Sequence, residues 1–412
     1  MKTISELVHA IIRMRETDKR MMSLLAVCPN SKAVLEAAVN AAAKNRSPML
    51  FAATLNQVDR DGGYTGWTQT QFVAELRSYA AQIGWDGPLY PCLDHGGPWL
   101  KDLHRLEELT FEATMNEVKQ SINACLEAGY QLLHIDPTVD RDLPESEPVP
   151  VETVVARTIE LISYAEAERE RRGLPPIAYE VGTEEVHGGL ADLKRFHKFL
   201  QELHDGLNAG NMADVWPCFV VAQVGTDLHT TTFDTQIARS LYKIVAPLGS
   251  LVKGHYTDWV DNPYDYPNTG MGGANVGPEF TAEEYLALRE LCDKEETLCR
   301  NRIGLSSSNL MNVLEQVVVD SGRWMKWRVP EEDGLDFFEL SPERRAWLTQ
   351  TSVRYIWTHP KVVTSRSHLY DNLAYEMPDP HGYVVNRIEI AIDKYIKAFN
   401  LSDSLTIFES QI

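Results

Sequence analysis

Short apolar segments alternate with polar loops and amphipathic stretches between Met22 and Val276. Eight such segments occur, each followed by a loop with Gly, Asp, Asn or His and then by a longer amphipathic stretch. They lie at 22–27, 49–53, 89–93, 132–135, 177–181, 218–223, 251–254 and 274–276. This alternation is typical of βα units, and eight parallel strands close a (β/α)8 TIM barrel. A doubly wound open sheet is the alternative, because the last two segments are short.

The stretches between these segments predict the helices that would cover such a barrel. The segment 31–44 is rich in alanine, and Ser31 can cap its first turn. The segment 151–172 is rich in Glu, Ala and Arg. After Thr281 the pattern becomes mostly amphipathic helix. We therefore predict an α/β fold with the barrel in residues 1–281 and a helical C-terminal region, residues 282–412, packed on it.

Charge and cysteine content restrict the class of partner and the compartment. The chain has 59 acidic and 39 basic residues, and its formal charge of -20 would repel both nucleic acid and anionic lipid. No apolar run approaches the ~20 residues of a membrane helix. The six cysteines form no CxxC pair, and the first 20 residues lack the pattern of a signal peptide. We predict reduced thiols, a cytoplasmic location and no nucleic-acid or membrane partner.

Histidines and carboxylates concentrate where the predicted strands end. The loops at the C-terminal ends of the strands build the active site of a (β/α)8 barrel, and five of the 12 histidines lie at these positions. The polar residues at these ends are Asp94, His95, His134, Asp136, Glu180, Glu184, Glu185, His187, Asp227, His229 and His255. Their concentration predicts an active site at this end of the barrel.

The histidines among these residues favour a divalent-metal site. Neutral imidazoles with a carboxylate are the ligands that zinc and similar ions prefer. We predict that His95, His229 and His255 bind the ion, with Glu180 either as a further ligand or as a residue that orients a ligand. The ion is predicted to be Zn²⁺, with Mn²⁺, Ni²⁺ and Co²⁺ as alternatives.

Three carboxylates are the candidate catalytic residues. Asp94 directly precedes a predicted ligand; if side chains alternate along the strand, it points away from His95 and can move a proton beside the metal. Glu180 and Asp136 stand at the ends of two further strands. A metal acting as a Lewis acid would polarise a carbonyl, while a carboxylate moves the proton of a hydroxyl two carbons away. This chemistry breaks and forms the C3–C4 bond of a ketose.

Other polar residues near the predicted strand ends are candidates for substrate binding. Several lie in the polar turn after the second strand, and His187 lies in a loop with two glycines that could be mobile. The candidate substrate-binding residues are Asn56, Gln57, Tyr64, His134, His187, Asp258 and Asn275.

Several motifs together resemble a known family. They are TLNQ at 54–57, GGYTG at 62–66, DHGGP at 94–98, VGTE at 181–184, GHYTD at 254–258, NVGP at 275–278 and RYIWTHP at 354–360. The chain resembles the tagatose-bisphosphate aldolase accessory-subunit family, which is similar to the metal-dependent class II fructose-bisphosphate aldolases. This resemblance implies that Asp94 transfers the proton and that His95, His229 and His255 bind the metal.

The sequence departs from these relatives in two ways. Class II aldolases hold a substrate phosphate with a Gly-Gly-Ser-Gly loop, whereas His255 is followed by Tyr-Thr-Asp-Trp, which offers no cradle of backbone amides. The best-known members of the accessory family are non-catalytic and keep fewer histidines than this chain.

Two functional hypotheses follow from these patterns. The first is an enzyme that acts on a ketose or ketose phosphate, as an aldolase or a 4-epimerase, and forms a homo-oligomer. The second is a non-catalytic subunit that stabilises an aldolase partner through its C-terminal region. A sugar kinase is not favoured, because no Gly-rich phosphate loop with its Lys and Ser/Thr is present.

Overall fold

Eight parallel strands form a closed barrel in chain order. The computed structural model describes residues 2–144, 147–183, 189–227 and 230–410. Each strand pairs with its neighbours in sequence, and the first pairs with the last, with Leu24 opposite Gly273. The strands are β1 (Leu24–Val27), β2 (Met49–Thr54), β3 (Leu89–Gly96), β4 (Leu132–Ile135), β5 (Ala178–Gly182), β6 (Phe219–Val221), β7 (Leu251–Gly254) and β8 (Gly273–Val276). The predicted TIM barrel is confirmed, and the open sheet is excluded by this closure.

The strand bounds differ from the sequence prediction mainly at two places. β6 contains only three residues, because the chain leaves the sheet after Val221. β3 continues past Leu93 to Gly96, so that the Asp-His pair lies inside the strand and not in the loop after it. The extension of β3 matters for the site described below.

Fifteen α-helices are present in the described part of the chain. They are α1 (Ile4–Thr17), α2 (Lys32–Asn45), α3 (Gln69–Gln82), α4 (Asp102–Leu106), α5 (Phe111–Ala128), α6 (Val151–Arg171), α7 (Leu193–Ala209), α8 (Thr235–Val245), α9 (Asp265–Thr269), α10 (Pro278–Asn301), α11 (Leu310–Ser321), α12 (Pro342–Ser352), α13 (Pro360–Leu373), α14 (Pro380–Ala398) and α15 (Ser404–Glu409). None of these helices combines the length and the apolar character that crossing a bilayer requires.

Local sequence explains where several helices begin and end. The Ser31 hydroxyl accepts a hydrogen bond from the Val34 amide at 3.2 Å, which caps α2 as the sequence predicts. α5 ends at Gly129, whose φ of 82° lies in the left-handed region that glycine adopts without strain. α10 begins with Pro278, which has no amide hydrogen to leave unsatisfied in a first turn.

The C-terminal helices pack on the first part of the barrel. α10 starts directly after β8 and runs through the predicted boundary at residues 281 and 282 without a break. α14 packs against α2 and α10. The Lys44 ammonium lies 2.6 Å from the Asp393 carboxylate, and the Tyr395 hydroxyl donates to the Thr257 carbonyl at 3.1 Å. The predicted division into a barrel and a helical region stays a prediction.

Candidate active site

Three adjacent strands, β3 to β5, and the end of β7 direct ionisable side chains to one place at the C-terminal end of the barrel. β3 carries Asp94 and His95, β4 carries His134, β5 carries Glu180, and His255 follows β7. All five side chains are buried except that of His95, which is 23% exposed. The structure therefore brings these predicted residues into one cluster.

The backbone at His95 explains why two consecutive residues face the same site. His95 has a φ of 51°, and the pairing of β3 with β4 shifts register between Leu93 and Gly96. The left-handed conformation interrupts the alternation of side chains, so that Asp94 and His95 both point into the cluster. A Cβ on Gly97 would lie only 1.8 Å from the Asp136 carbonyl oxygen, so glycine is required for this loop to pack against the end of β4.

A chain of hydrogen bonds links five groups across the end of the barrel. His95 Nδ1 donates to the Asp136 carboxylate at 2.5 Å, and His95 Nε2 lies 3.0 Å from His255 Nδ1. His255 Nε2 donates to Glu180 Oε1 at 2.9 Å, and the Lys253 ammonium donates to Glu180 Oε2 at 2.6 Å. This network fixes both imidazole rings and assigns the proton between them to His95.

The pKa values agree with that assignment. Burial lowers the pKa of His95, but the carboxylates of Asp94 and Asp136 outweigh burial and raise it to about 9. Burial dominates at His255 and lowers its pKa to about 4. His95 is therefore charged and donates, whereas His255 is neutral and accepts. Binding of a cation by both rings requires loss of the proton that they share.

Asp94 lies among the three imidazoles. Its Oδ1 is 3.2 Å from His134 Nδ1 and 3.9 Å from both His95 Nε2 and His255 Nε2. Burial raises the pKa of Asp94, but the charge of His95, the charge that His255 gains only in the acidic range where a carboxyl titrates, and the contact with His134 hold it well below its usual range. Asp94 is therefore ionised, which is the state that accepts a proton.

The residues of this cluster fit a divalent cation. One ligand atom from each of Asp94, His95, His134 and His255 lies within 4.8 Å of every other, and the cluster could hold a metal ion. The buried Nε2 of His134 has no hydrogen-bond partner in the described structure. His134 Nδ1 accepts from the His95 amide at 3.1 Å. Imidazole and carboxylate donors suit zinc and similar borderline ions.

Glu180 is engaged on both oxygens inside the barrel. One oxygen accepts from His255 and the other from Lys253, which is 1% exposed. Burial raises the pKa of Glu180, but Lys253 and the neighbouring histidines outweigh burial and lower it to about 2. Of the two roles that the sequence leaves open for Glu180, this geometry favours orientation of His255 over direct binding of the metal.

A cavity of about 500 Å³ opens above the cluster. We call the part of the cavity that Asp94, His95 and His255 line its inner end, and the part that residues of the C-terminal region line its outer end. The outer residues belong to a 3₁₀ segment, Arg323–Trp327, and to a second one, Val353–Tyr355. A volume of this size is typical of sites for small molecules, which span ~300–1,000 Å³.

Three of the predicted substrate-binding residues line the cavity from the loop after β2. Asn56 bridges to the next loop, because its amide donates to the Leu100 carbonyl at 3.0 Å and its oxygen accepts from the Asp102 amide at 2.8 Å. Gln57 Nε2 and the Tyr64 hydroxyl both donate to Asn30 Oδ1, at 2.7 and 2.8 Å. These three side chains hold the cavity wall in place.

Two further predicted residues line the cavity from the other side. Asp258 Oδ1 accepts from the Gly277 and Glu279 amides at 2.9 and 2.7 Å and so caps α10. Burial raises the pKa of Asp258 to about 7. The Asn275 amide nitrogen lies 3.3 Å from His255 Nε2, while its buried Oδ1 has no hydrogen-bond partner in the described structure.

Two predicted site residues lie outside the described residues. They are His187, a candidate for substrate binding, and His229, a candidate metal ligand. Among the described candidates, His134 belongs to the ionisable cluster and is buried inside β4.

The chain matches a family model over residues 8–385, and that family is described as D-tagatose-1,6-bisphosphate aldolase subunit GatZ/KbaZ-like. The chain belongs to this family. Its motifs therefore gave the correct resemblance, and the match relates the chain to tagatose-bisphosphate aldolases.

Two solved structures show the same fold as this family member. A probable tagatose 6 phosphate kinase from Sinorhizobium meliloti 1021 matches with a TM-score of 0.75 and 21% identity, over 91% of this chain and 100% of that chain. A fructose-bisphosphate aldolase from Campylobacter jejuni matches with a TM-score of 0.54 and 13% identity, over 98% of this chain and 96% of that chain. At these identities the likeness concerns the fold alone.

Sequence reasoning did not single out several residues that line or support the site of this family member, and four of them bear on its chemistry. Asn30 lies in the loop after β1, and its buried Nδ2 lacks a hydrogen-bond partner in the described structure. Lys253 could have been noticed as a lone charge within the apolar strand β7. Trp327 and Arg354 reach the cavity from the C-terminal region. Arg354 begins one of the family motifs, but nothing in that motif indicates which way the side chain points.

Proposed function

We propose that this chain is a metal-dependent enzyme that breaks or re-forms the C3–C4 bond of a ketose or ketose phosphate, as an aldolase or a 4-epimerase. The observation that carries the proposal is the buried cluster of Asp94, His95, His134 and His255 at the inner end of the cavity. Such a cluster at the C-terminal end of a (β/α)8 barrel is where enzymes of this fold place their chemistry.

The proposed metal ligands are His95 and His255, with His229 as the third. His134 is the alternative that the described geometry offers, although its Nδ1 already accepts from the His95 amide. Zn²⁺ is the proposed ion, with Mn²⁺, Ni²⁺ and Co²⁺ as alternatives. When bound, it would polarise the ketose carbonyl as a Lewis acid.

Asp94 is the proposed acid–base group. It is ionised and buried, and it lies within 3.9 Å of nitrogens of both proposed ligands in the described structure. In the cleavage direction its carboxylate takes the proton of the C4 hydroxyl as the C3–C4 bond breaks, and in the reverse direction it returns that proton. Asp136 and Glu180 hold the rings of His95 and His255.

Unsatisfied polar atoms in the cavity support a polyhydroxylated substrate. Asn30 Nδ2 is a buried donor and Asn275 Oδ1 a buried acceptor, and neither has a partner in the described part of the chain. A sugar hydroxyl both donates and accepts hydrogen bonds, so it can pair with either group. Both residues line the cavity that contains the cluster.

Elemental analysis combined with turnover tests this proposal. The purified chain, before and after chelation, is assayed with ketoses and ketose phosphates, and the products are identified. We expect about one metal per chain and turnover that disappears with the chelator and returns with Zn²⁺. An aldehyde and a three-carbon ketone as products identify an aldolase, whereas the C4 epimer identifies an epimerase. A metal-free chain that turns over a ketose at the same rate contradicts the proposal.

Family membership favours a second candidate function. The family is described as a subunit of D-tagatose-1,6-bisphosphate aldolase, so a non-catalytic role beside an aldolase partner is the alternative. Its test is co-purification with a catalytic aldolase subunit, followed by assay of that subunit alone and in the mixture. Absence of metal and turnover in this chain, with higher activity of the partner in the mixture, supports the alternative.

A further inference from the structure

Arg354 is a buried cation at the outer end of the cavity. The residue is only 6% exposed, and its guanidinium stacks over the Trp327 ring at 4.6 Å and lies 5.1 Å from the centre of the Tyr355 ring. Its Nη2 donates to the Tyr355 hydroxyl at 3.2 Å. Aromatic faces attract a cation, but they leave most of the guanidinium N–H donors unused.

No carboxylate of the described residues forms an ion pair with Arg354. Burial raises the pKa of the Asp258 carboxyl and the charge of Arg354 lowers it, but Asp258 Oδ1 accepts from the amides at the start of α10. Lys326, another cation of the cavity, lies 3.5 Å from Asp102, which also pairs with Arg323. Because a buried charge without a hydrogen-bonded counter-ion is unfavourable, a guanidinium that contacts no described carboxylate and lies beside a cavity is suited to an external anion.

The position of Arg354 fits a substrate that spans the cavity. Asp94 and the histidines occupy the inner end, whereas Arg354 and Trp327 line the wall that the C-terminal region contributes. A ketose whose carbonyl end reaches the cluster would direct its other end towards that wall. The planar fork of arginine matches the paired oxygens of a phosphate or a carboxylate.

We propose that Arg354 binds the terminal oxyanion of the substrate, the phosphate of a ketose phosphate or the carboxylate of a ketose acid, and thereby determines specificity for an anionic sugar. The identity of the ligand as a ketose rests on the proposed function, whereas binding of an oxyanion by Arg354 does not. The phosphate loop that is missing after His255 would then be replaced by a side chain from the C-terminal region.

The first experiment measures binding without turnover. Inorganic phosphate and acetate are titrated by calorimetry into the wild type and into Arg354→Gln, Arg354→Lys and Arg302→Gln, at low ionic strength. Arg302 is the matched control, because it also lies over a tyrosine ring, at 5.0 Å from Tyr375, but is exposed and outside the cavity. We expect Arg354→Gln to weaken oxyanion binding by ~10- to 100-fold. The Arg302→Gln variant should match the wild type.

Arg354→Lys keeps the positive charge but loses the planar pair of guanidinium N–H donors. The affinity of this variant for the oxyanion should therefore lie between those of the wild type and Arg354→Gln. Circular dichroism and thermal unfolding show which variants are folded. If Arg354→Gln does not fold, the lysine variant decides: oxyanion affinity equal to that of the wild type overturns the proposal.

The second experiment compares substrates and separates the two proposals. The ratio of kcat/KM for an anionic over a neutral ketose should fall by ~10- to 100-fold in Arg354→Gln, mainly through KM. A fall for ketose phosphates identifies a phosphate, and a fall for ketose acids identifies a carboxylate. An unchanged ratio with unchanged phosphate binding overturns the role of Arg354 and leaves the proposed function intact. Arg354-dependent phosphate binding without turnover of any sugar supports the oxyanion site and contradicts the proposed function.

Discussion

The inner end of the cavity and its outer wall differ in how their charges are held. At the inner end, hydrogen bonds connect Asp136, His95, His255 and Glu180 in series, and each ring is fixed at both nitrogens. At the outer wall, the cation Arg354 is held mainly by stacking on aromatic rings. Hydrogen bonds fix the direction in which each imidazole nitrogen points. Stacking fixes only the plane of the guanidinium and leaves its N–H donors available. The comparison teaches that groups fixed in direction and groups with free donors line separate parts of this cavity.

Replacement of His255 by alanine should have the largest effect. The variant removes one proposed ligand and breaks the hydrogen-bonded series at its centre. We expect loss of bound metal together with a fall in turnover on the order of 10³-fold or more. Metal analysis and steady-state kinetics measure both. His204→Ala is the control, because that histidine is exposed on α7. Full metal content in the His255 variant would remove His255 from the ligand set.

Asp94→Asn should separate turnover from metal binding. The amide keeps the shape of the side chain but cannot accept the proton, so we expect turnover to fall by ~10²- to 10⁴-fold with the metal retained. Kinetics and metal analysis are compared with those of Asp86→Asn, an exposed aspartate outside the cavity. Loss of the metal instead would make Asp94 a ligand, and normal turnover would exclude it as the acid–base group.

Lys253→Met should destabilise the inner end of the barrel. It leaves Glu180 buried and without its ammonium partner, which typically costs about 3–5 kcal/mol. Denaturant unfolding measures the loss, and Lys397→Met, an exposed lysine on α14, should stay within about 0.5 kcal/mol of the wild type.

The double variant Lys253→Met, Glu180→Leu sharpens the same comparison. Replacement of a buried ion pair by apolar side chains is often neutral or stabilising, so we expect stability to recover. Turnover should remain low, because His255 no longer has an acceptor for its Nε2 proton. Recovery of both stability and turnover would mean that Lys253 and Glu180 contribute only to packing, and that turnover does not need Glu180 to orient His255.

Trp327→Leu should give the smallest effect, confined to the outer wall. Loss of the ring beneath Arg354 removes a cation–π contact, and we expect oxyanion affinity to weaken by roughly two- to thirty-fold. Metal content should not change. Trp85→Leu is the control, because it also removes a partly buried indole but lies outside the cavity. A loss of metal in the Trp327 variant would contradict the separation of the two regions.

The barrel could be predicted from the sequence because parallel strands that are covered on both faces appear as continuous apolar runs. The predicted bounds of 132–135 and 251–254 agree with β4 and β7. The location of the candidate site could also be predicted, because the active site of a (β/α)8 barrel is built from the loops at the C-terminal ends of its strands. The family resemblance strengthened that inference without being needed for it.

Strand periodicity could not predict that the consecutive side chains of Asp94 and His95 face the same site. Strict alternation along the strand would place the two side chains on opposite faces of the sheet. The left-handed backbone conformation at His95 interrupts this alternation. The ion pair of Lys253 with Glu180 joins strands that are not adjacent in sequence, so its register depends on barrel closure. The position of Arg354 depends on how a 3₁₀ segment docks, which amphipathic periodicity does not encode.

The residues that line the cavity are synthesised in a fixed order. On the ribosome, all eight strands emerge before the segment that contains Trp327 and Arg354. Because chains are made from the N-terminus, every residue of the ionisable cluster is synthesised before the segment that completes the cavity. The pocket is thus complete only late in synthesis, and a chain arrested shortly after β8 would contain the residues of the cluster without the wall to which Trp327 and Arg354 belong.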